Sequence, residues 1–309
     1  MHGPQIDELA LGMSDEDIRD AFAPYLGRTV AEDDPDWDKI ISHLTGKWRR
    51  RRWRRQLLGW FPGVRHDQRN VERVYSRTWS EIGLAEKVSP GATNTPTSWR
   101  GNCYLAGAQG TKRVHLLYLM RILSTLRPRT VCEVGCGNGL NLLVLANRFP
   151  DMAFSGVELT SAGVAVAKSG TELETLPREL VTFSPEPLAA TGAHRNVTVQ
   201  QGSAAALPFD DGSVDCLFTV LALEQMEEIR HQALTEIARV AGRHVIMIEP
   251  WRDWNETGIR RDSIVARDYF QARVADLRQY GLEPVYTCGD IPSKVIYGVG
   301  VVVARRIDR

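Results

Sequence analysis

Three carboxylates stand where ligand binding or proton transfer would need them. Glu158, Glu224 and Glu249 close, or nearly close, the apolar runs 153–158, 216–226 and 244–250. Such runs read as buried strands, and in an open α/β sheet ligands gather at the carboxyl ends of strands. A fourth run, Val131-Cys-Glu-Val-Gly-Cys-Gly-Asn-Gly-Leu-Asn141, ends in Gly135, Gly137 and Gly139 and opens into the helix-like stretch 142–148. Glycines there let backbone approach a ligand that any Cβ would push away. The helix N-terminus behind them leaves N–H groups free for polar parts of that ligand. Glu158 follows about 20 residues later, well placed to accept from both hydroxyls of a ribose. The chemistry indicated is the binding of a nucleoside.

The spacing bears on which nucleoside. A dinucleotide fingerprint asks for G-x-G-x-x-G/A; here the third glycine comes one residue early and Leu140 takes the small-residue place. A nicotinamide-dependent oxidoreductase is therefore the weaker reading, although Glu158 suits either nucleoside. Downstream lie Gly202-Ser-Ala-Ala-Ala-Leu-Pro-Phe209, Ser213-Val-Asp215, Leu223-Glu-Gln225 and Glu236-Ile-Ala-Arg-Val240. In this order the chain resembles the class I S-adenosylmethionine-dependent methyltransferases, particularly their broad small-molecule branch, over about residues 110–305.

That resemblance implies roles for individual residues. Glu133, Gly135, Cys136, Gly137, Asn138 and Gly139 would line the methionine end of S-adenosyl-L-methionine, and Glu158 would hold its ribose. Leu159 would pack on the adenine, Ser203 and Ala204 would border its exocyclic edge, and Thr219 and Val220 would offer backbone near the amino group. The product would be S-adenosyl-L-homocysteine. Two positions depart from the family pattern. Ser203 replaces an Asp, giving a neutral and weaker acceptor, and Gln225 replaces the His most often suspected as a base. Glu224 and Glu249 remain as candidate catalytic bases. Trp251, Arg252 and Trp254 follow a strand and, with Gln225, are expected to face an acceptor; paired tryptophans near arginines suit a flat, sugar-like or anionic molecule.

The elements needed to position these groups fit an α/β, Rossmann-like doubly wound sheet of seven strands, the last antiparallel, with an N-terminal and mostly helical extension. Residues 1–110 form that extension and 111–309 the nucleoside-binding domain. The spacing predicts helices over 114–126 and 229–241, an amphipathic helix through Ala266, Phe270, Val274 and Leu277, and an inserted antiparallel strand over 295–304. Residues 65–110 are expected to drape over the site, with Tyr104 and Lys112 as contributors. The segment 169–196 joins a helix back to a strand and should lie away from the chemistry. With 309 residues and a hydrophobic fraction of 43%, the chain can bury a large core. Five cysteines without C-x-x-C spacing suit reduced thiols in a cytoplasmic protein, and no metal site is expected. Residues 1–8 lack the apolar core of a signal peptide.

The overall charge is zero, which excludes a global field for a polyanion. Locally it is unbalanced: residues 1–46 carry a net −8, and Lys47–Arg55 carry +7. As a helix, 47–61 would align Trp53, Leu57 and Trp60 among arginines. It would pack on the domain with its arginines paired to the acidic leader, touch an anionic membrane or lipid-linked substrate, or bind nucleic acid. The function expected is methyl transfer to oxygen, nitrogen or carbon of a small-molecule, glycan or lipid-linked acceptor. A nucleic-acid methyltransferase and a non-catalytic binding module are the other readings.

Overall fold

In a computed structural model of the chain, the described residues are 3–31, 33–58, 68–81, 84, 88 and 91–307. Trp60 lies outside them. In chain order the elements are α1 (Asp15–Phe22), β1 (Leu26–Val30), α2 (Pro35–Leu58), α3 (Gln68–Glu81), β2 (Thr95–Trp99), β3 (Asn102–Ala106), α4 (Gln109–Leu126), β4 (Thr130–Val134), α5 (Leu140–Arg148), β5 (Ala153–Glu158), α6 (Ser161–Thr171) and α7 (Arg178–Phe183). There follow β6 (Thr198–Gln201), β7 (Val214–Val220), α8 (Arg230–Val240), β8 (Ala241–Glu249), α9 (Gly258–Arg267), β9 (Leu282–Cys288), β10 (Ser293–Lys294) and β11 (Gly300–Arg306).

Seven strands form one sheet in the order β6-β5-β4-β7-β8-β11-β9, with β11 antiparallel to both neighbours. The order steps outward from β4 through β5 to β6, then restarts on the other side at β7. The crevice at this reversal, between β4 and β7, is where a doubly wound sheet takes ligands. Central strands buried on both faces need a largely apolar sequence, and residues 131–132, 216–218 and 301–304 supply it in β4, β7 and β11. Val131, Leu217, Val301 and Val303 are fully buried.

The extension is more than helical. β1, β3 and β2 form a second small sheet that the two-residue β10 completes, Ser293 opposite Ser98 and Lys294 opposite Thr97. α1 opens with a reciprocal cap between Ser14 and Asp17 and buries Ile18, Ala21 and Phe22. At its far end the Arg113 guanidinium donates to the carbonyls of Asp20 and Ala21, and also to those of Phe183 and Ser184 at the end of α7. One cation thus serves orphan carbonyls of two helices. The segment 172–196 stays away from the crevice, as expected, yet it secures the extension; its Glu186 also pairs with Arg121 and Arg148.

Two expectations need correction. The amphipathic helix through residues 266–277 is broken: α9 stops at Arg267 because Asp268 takes a left-handed conformation (φ 59°), and Val274–Tyr280 is a separate 3-10 turn. Among the described residues, no ion pair joins the arginines of α2 to the acidic leader. Arg52 and Arg55 pair with Asp262 and Asp268 on and just after α9, at 2.8 and 2.5 Å. Leader acids find other partners, Asp17 with Arg121 and Asp15 with Arg100.

Replacing Arg113 by Ala is expected to lower unfolding stability by about 3 kcal/mol, the scale of hydrogen bonds from a charged donor. Arg113→Lys should recover less than half, since an ammonium cannot span four carbonyls. Urea denaturation followed by circular dichroism measures both.

Candidate functional site

β4 ends at Val134, and the chain turns through Gly135 and Gly137 at φ 77° and 54°. Residues with a Cβ rarely hold such angles, and here there is no room either. A Cβ on Gly135 would sit 2.6 Å from Ala222 Cβ, and one on Gly137 2.6 Å from the Trp79 ring. The loop is sewn to β5 by the amides of Gly135 and Cys136, which donate to Val157 O at 2.8 and 3.1 Å. Glu158 continues the seam. Its Oε2 accepts from Gly137 N at 3.0 Å, and its Oε1 accepts from Thr160 N and Oγ1 at 2.9 and 2.7 Å.

These residues open onto a cavity of about 330 Å³, within the range typical of small-ligand sites. Of the sequence-derived cofactor residues, Glu133, Gly135, Cys136, Gly137, Asn138, Glu158, Leu159, Ala204 and Val220 line it. Gly139, Ser203 and Thr219 do not. Gly139 starts α5 behind the loop, Ser203 accepts from Gln68 Nε2 at 3.3 Å, and Thr219 is fully buried in β7. A shallower concavity near 710 Å³ lies at the amino ends of β4 to β7, the side of the sheet away from this chemistry.

The lining fits a nucleoside with a cationic tail. Glu133 accepts from Asn141 Nδ2 at 2.7 Å through one oxygen, while its Oε2 and the Asn138 Nδ2 are buried without partners. Buried polar atoms are normally satisfied, so this set is one that a polar ligand would complete. Burial pushes the Glu133 carboxyl up to about 8, against the pull of Asn141, and Glu158 nearby adds to the rise. A positive group between the two carboxylates would relieve both effects. Leu159, Ala204 and Met226 offer apolar walls for a base.

Beyond the turn at Leu221–Gln225 the cavity changes character. Glu224 and Gln225 line it, with Tyr75, Lys112, Lys294 and Tyr297. Glu224 accepts from Gln225 Nε2 at 2.8 Å through Oε1, and its Oε2 is buried without a partner. Burial raises its carboxyl to about 7, opposed by Gln225 and by the charges of Arg267, Lys294 and Lys112.

Glu249 behaves differently from the expectation of a base. It is fully buried outside the cavity, and its oxygens accept from the amides of Ala222, Leu223 and Glu224 at 3.0, 3.1 and 3.2 Å. Trp251 likewise points into the core, edge-on to Phe270 at 5.2 Å. Trp254 packs against Gly289 and Gly300, and Arg252 starts the short turn between them. None of the three tryptophan-loop residues reaches the cavity. The sequence reading placed them by strand end alone, which fixes an edge of the sheet and not a depth.

Residues it did not anticipate come from α3. Tyr75 and Trp79, four apart on one helical face, close over the cavity with Gln68. That i, i+4 aromatic pair was visible in the sequence. Lys294 and Tyr297 had no such signal, because a two-residue strand carries no periodicity.

Residues 132–248 match the family described as "Methyltransferase domain". Among curated proteins, the chain is 53% identical over 49 residues to a tRNA (guanine-N(7)-)-methyltransferase of Leifsonia xyli subsp. xyli, covering 16% of this chain and 21% of that protein. It is 23% identical over 150 residues to ajmaline N-methyltransferase of Rauvolfia serpentina, 45% of each chain. The chain thus spans less than half the length of these relatives. Among solved structures, the [4+2]-cyclase SpnF aligns with a TM-score of 0.51 at 15% identity, over 77% of this chain and 96% of that one. Geranyl diphosphate methyltransferase, in complex with GPP and sinefungin, aligns at 0.50 with 12% identity, over 76% and 99%. At such identity the likeness is one of fold, and a fold alone fixes no chemistry. Over residues 132–248 the matched motifs, sheet order and glycine loop are those of a methyltransferase domain.

Proposed function

We propose that the chain catalyses methyl transfer from S-adenosylmethionine to an oxygen or nitrogen of a small-molecule acceptor, glycans and lipid-linked molecules included. The observation carrying this reading is the continuity of one cavity from the Glu133–Glu158 end to the Glu224 end. The donor, when bound, supplies a methyl group already activated by a sulfonium. The protein's contribution is then to align, dehydrate and deprotonate. α3 covers the cavity with Tyr75 and Trp79 and keeps water from the reacting atoms. Glu224 takes the acceptor's proton on Oε2 as the acceptor's lone pair bonds to the methyl carbon and the sulfur–methyl bond breaks. A base worth about 10²–10⁴-fold is best poised near the working pH, and Glu224 is held there by burial.

A partner reading accompanies this. On α2, Trp53 and Leu57 are 64% and 60% exposed, four residues apart, beside exposed Arg49, Arg50 and Arg54. No helix among the described residues is long and apolar enough to cross a membrane. A basic helix with exposed Trp and Leu suits the headgroup boundary of an anionic bilayer, and would bring the cavity to lipid-linked acceptors.

Radiolabelled methyl from the donor should enter a small-molecule or lipid fraction of cell extract; label in RNA or protein alone, or in nothing, overturns the reading. Glu158→Gln should weaken S-adenosylhomocysteine binding at least tenfold by calorimetry, or about 1.4 kcal/mol. For turnover the sign is set by the raised carboxyl: only ionised Glu224 accepts a proton, so kcat/KM should rise about tenfold per pH unit up to about 7 and then level. Glu224→Gln should remove that limb and about 10²-fold of rate. Glu249→Gln should instead lower stability by roughly 2 kcal/mol with the limb intact. Finally, Trp53→Ser with Leu57→Ser should abolish sedimentation with phosphatidylserine vesicles, while salt-sensitive RNA binding without vesicle binding would refute the membrane reading.

A further inference from the structure

The acceptor end of the cavity holds more positive charge than negative. Lys112 comes from the first turn of α4 and Lys294 from β10, two elements that meet only because β10 joins the small sheet beside β2. Both line the cavity with Glu224. The Lys294 ammonium lies 5.8 Å from the centre of the Tyr297 ring, which Arg267 approaches from 5.5 Å. Neither ammonium is ion-paired among the described residues. Glu224 is the one carboxylate acting on them, and it gives an oxygen to Gln225. His115, one turn along α4 from Lys112, is buried with neither ring nitrogen bonded, and the two lysines help hold it neutral. The Lys112 ammonium is crowded by protein yet accessible through the cavity, and crowding and Lys294 both draw its pKa down. Two like charges facing one cavity with a single carboxylate between them repel each other, and a ligand that supplies further negative charge would relieve that.

We propose that Lys112 and Lys294 form an anion subsite, so that the acceptor carries a carboxylate or phosphate group beside the atom that is methylated. This rests on the methyl-transfer reading for the word acceptor, but not for the anion site itself. Lysine offers three rotatable donors and a point charge that suits either oxyanion. Tyr75 and Tyr297 line this end, and Tyr269 backs Tyr297 edge-on with ring centres 6.5 Å apart. They give the rest of the acceptor an aromatic wall. Specificity then follows from both partners: an acceptor lacking the anion would leave the two ammoniums without that counter-charge.

The test uses the full chain saturated with S-adenosylhomocysteine. Thermal unfolding is followed during titration with inorganic phosphate, benzoate and uncharged benzamide, with chloride matched throughout. Phosphate or benzoate should raise the unfolding temperature saturably, benzamide should not, and whichever oxyanion acts names the group. The double variant Lys112→Gln, Lys294→Gln should weaken that response at least tenfold while homocysteine-nucleoside affinity stays within about threefold. Lys112→Arg, which keeps charge and bulk, should retain the response and guards against a misfolded double variant. An equal response in wild type and double variant, or none in wild type, overturns the subsite. If the protein ignores S-adenosylhomocysteine yet answers oxyanions through the two lysines, the methyl-transfer reading falls and the subsite stands.

Discussion

The site depends on one buried carboxylate that never meets a ligand. β7 ends at Val220, and Leu221 then takes a left-handed conformation (φ 52°), which turns the chain back across the top of the sheet. Such a turn exposes three successive amides to an apolar interior, where unsatisfied donors cost about 1–3 kcal/mol each. Glu249, arriving on the neighbouring strand, accepts all three. Its own titration records the contest: burial and the Glu224 charge push the carboxyl up to about 8, while the amides pull it down. With the turn fixed, Ala222 is set against Gly135 and Glu224 faces the cavity. The glycine loop and Glu224, the proposed proton acceptor, are thereby registered to one another through a single side chain.

Charge is sorted along the cavity by the same architecture. Both carboxylates of the nucleoside end, Glu133 and Glu158, come from adjacent parallel strands of the large sheet, Glu133 opposite Gly156. The cations of the far end come from the extension's side: Lys294 through its pairing with β2, Lys112 through a helix whose next residue, Arg113, ties down α1 and α7. A cationic donor and an anionic acceptor would each meet its complement, and each would be oriented before reaction. Alignment of that kind accounts for about 7–11 kcal/mol of a barrier at best, and under the proposed function the extension would contribute to it through the two lysines.

The legible part of the fold is the part made of local signals. The run 131–141 shows its strand, turn and helix start in eleven residues, and Glu158 shows itself by ending the next strand. The inserted antiparallel strand was legible from its apolar run, although β11 (Gly300–Arg306) starts five residues later than the expected 295–304 and ends two beyond it. What failed was non-local. Glu224 and Glu249 look equivalent in sequence, each at a strand end, and only the fold shows one facing the cavity and the other facing amides. Trp251 reads as an acceptor contact until Phe270, freed by the break at Asp268, comes to cover it. The arginines of α2 have acids close in sequence, but their partners come from α9, some 210 residues away.

α2 shows how a single helix can satisfy opposed demands. It buries Trp37 and Trp48, and Arg51 and Arg267 lie over the Trp48 ring at 5.2 and 4.3 Å. Arg267 also approaches Tyr297 in the cavity wall. Helical periodicity then turns Arg52 and Arg55 toward α9 and leaves Trp53 and Leu57 outward. The mean stripe is poorly amphipathic because two faces are in use: one pinned by ion pairs, one left apolar to solvent. Ion pairs that are partly buried resist screening better than those in open water, so the outward face is held in place at the ionic strengths where an anionic surface would still attract it. The stacking of Arg267 on both Trp48 and Tyr297 makes that attachment continuous with the wall of the cavity.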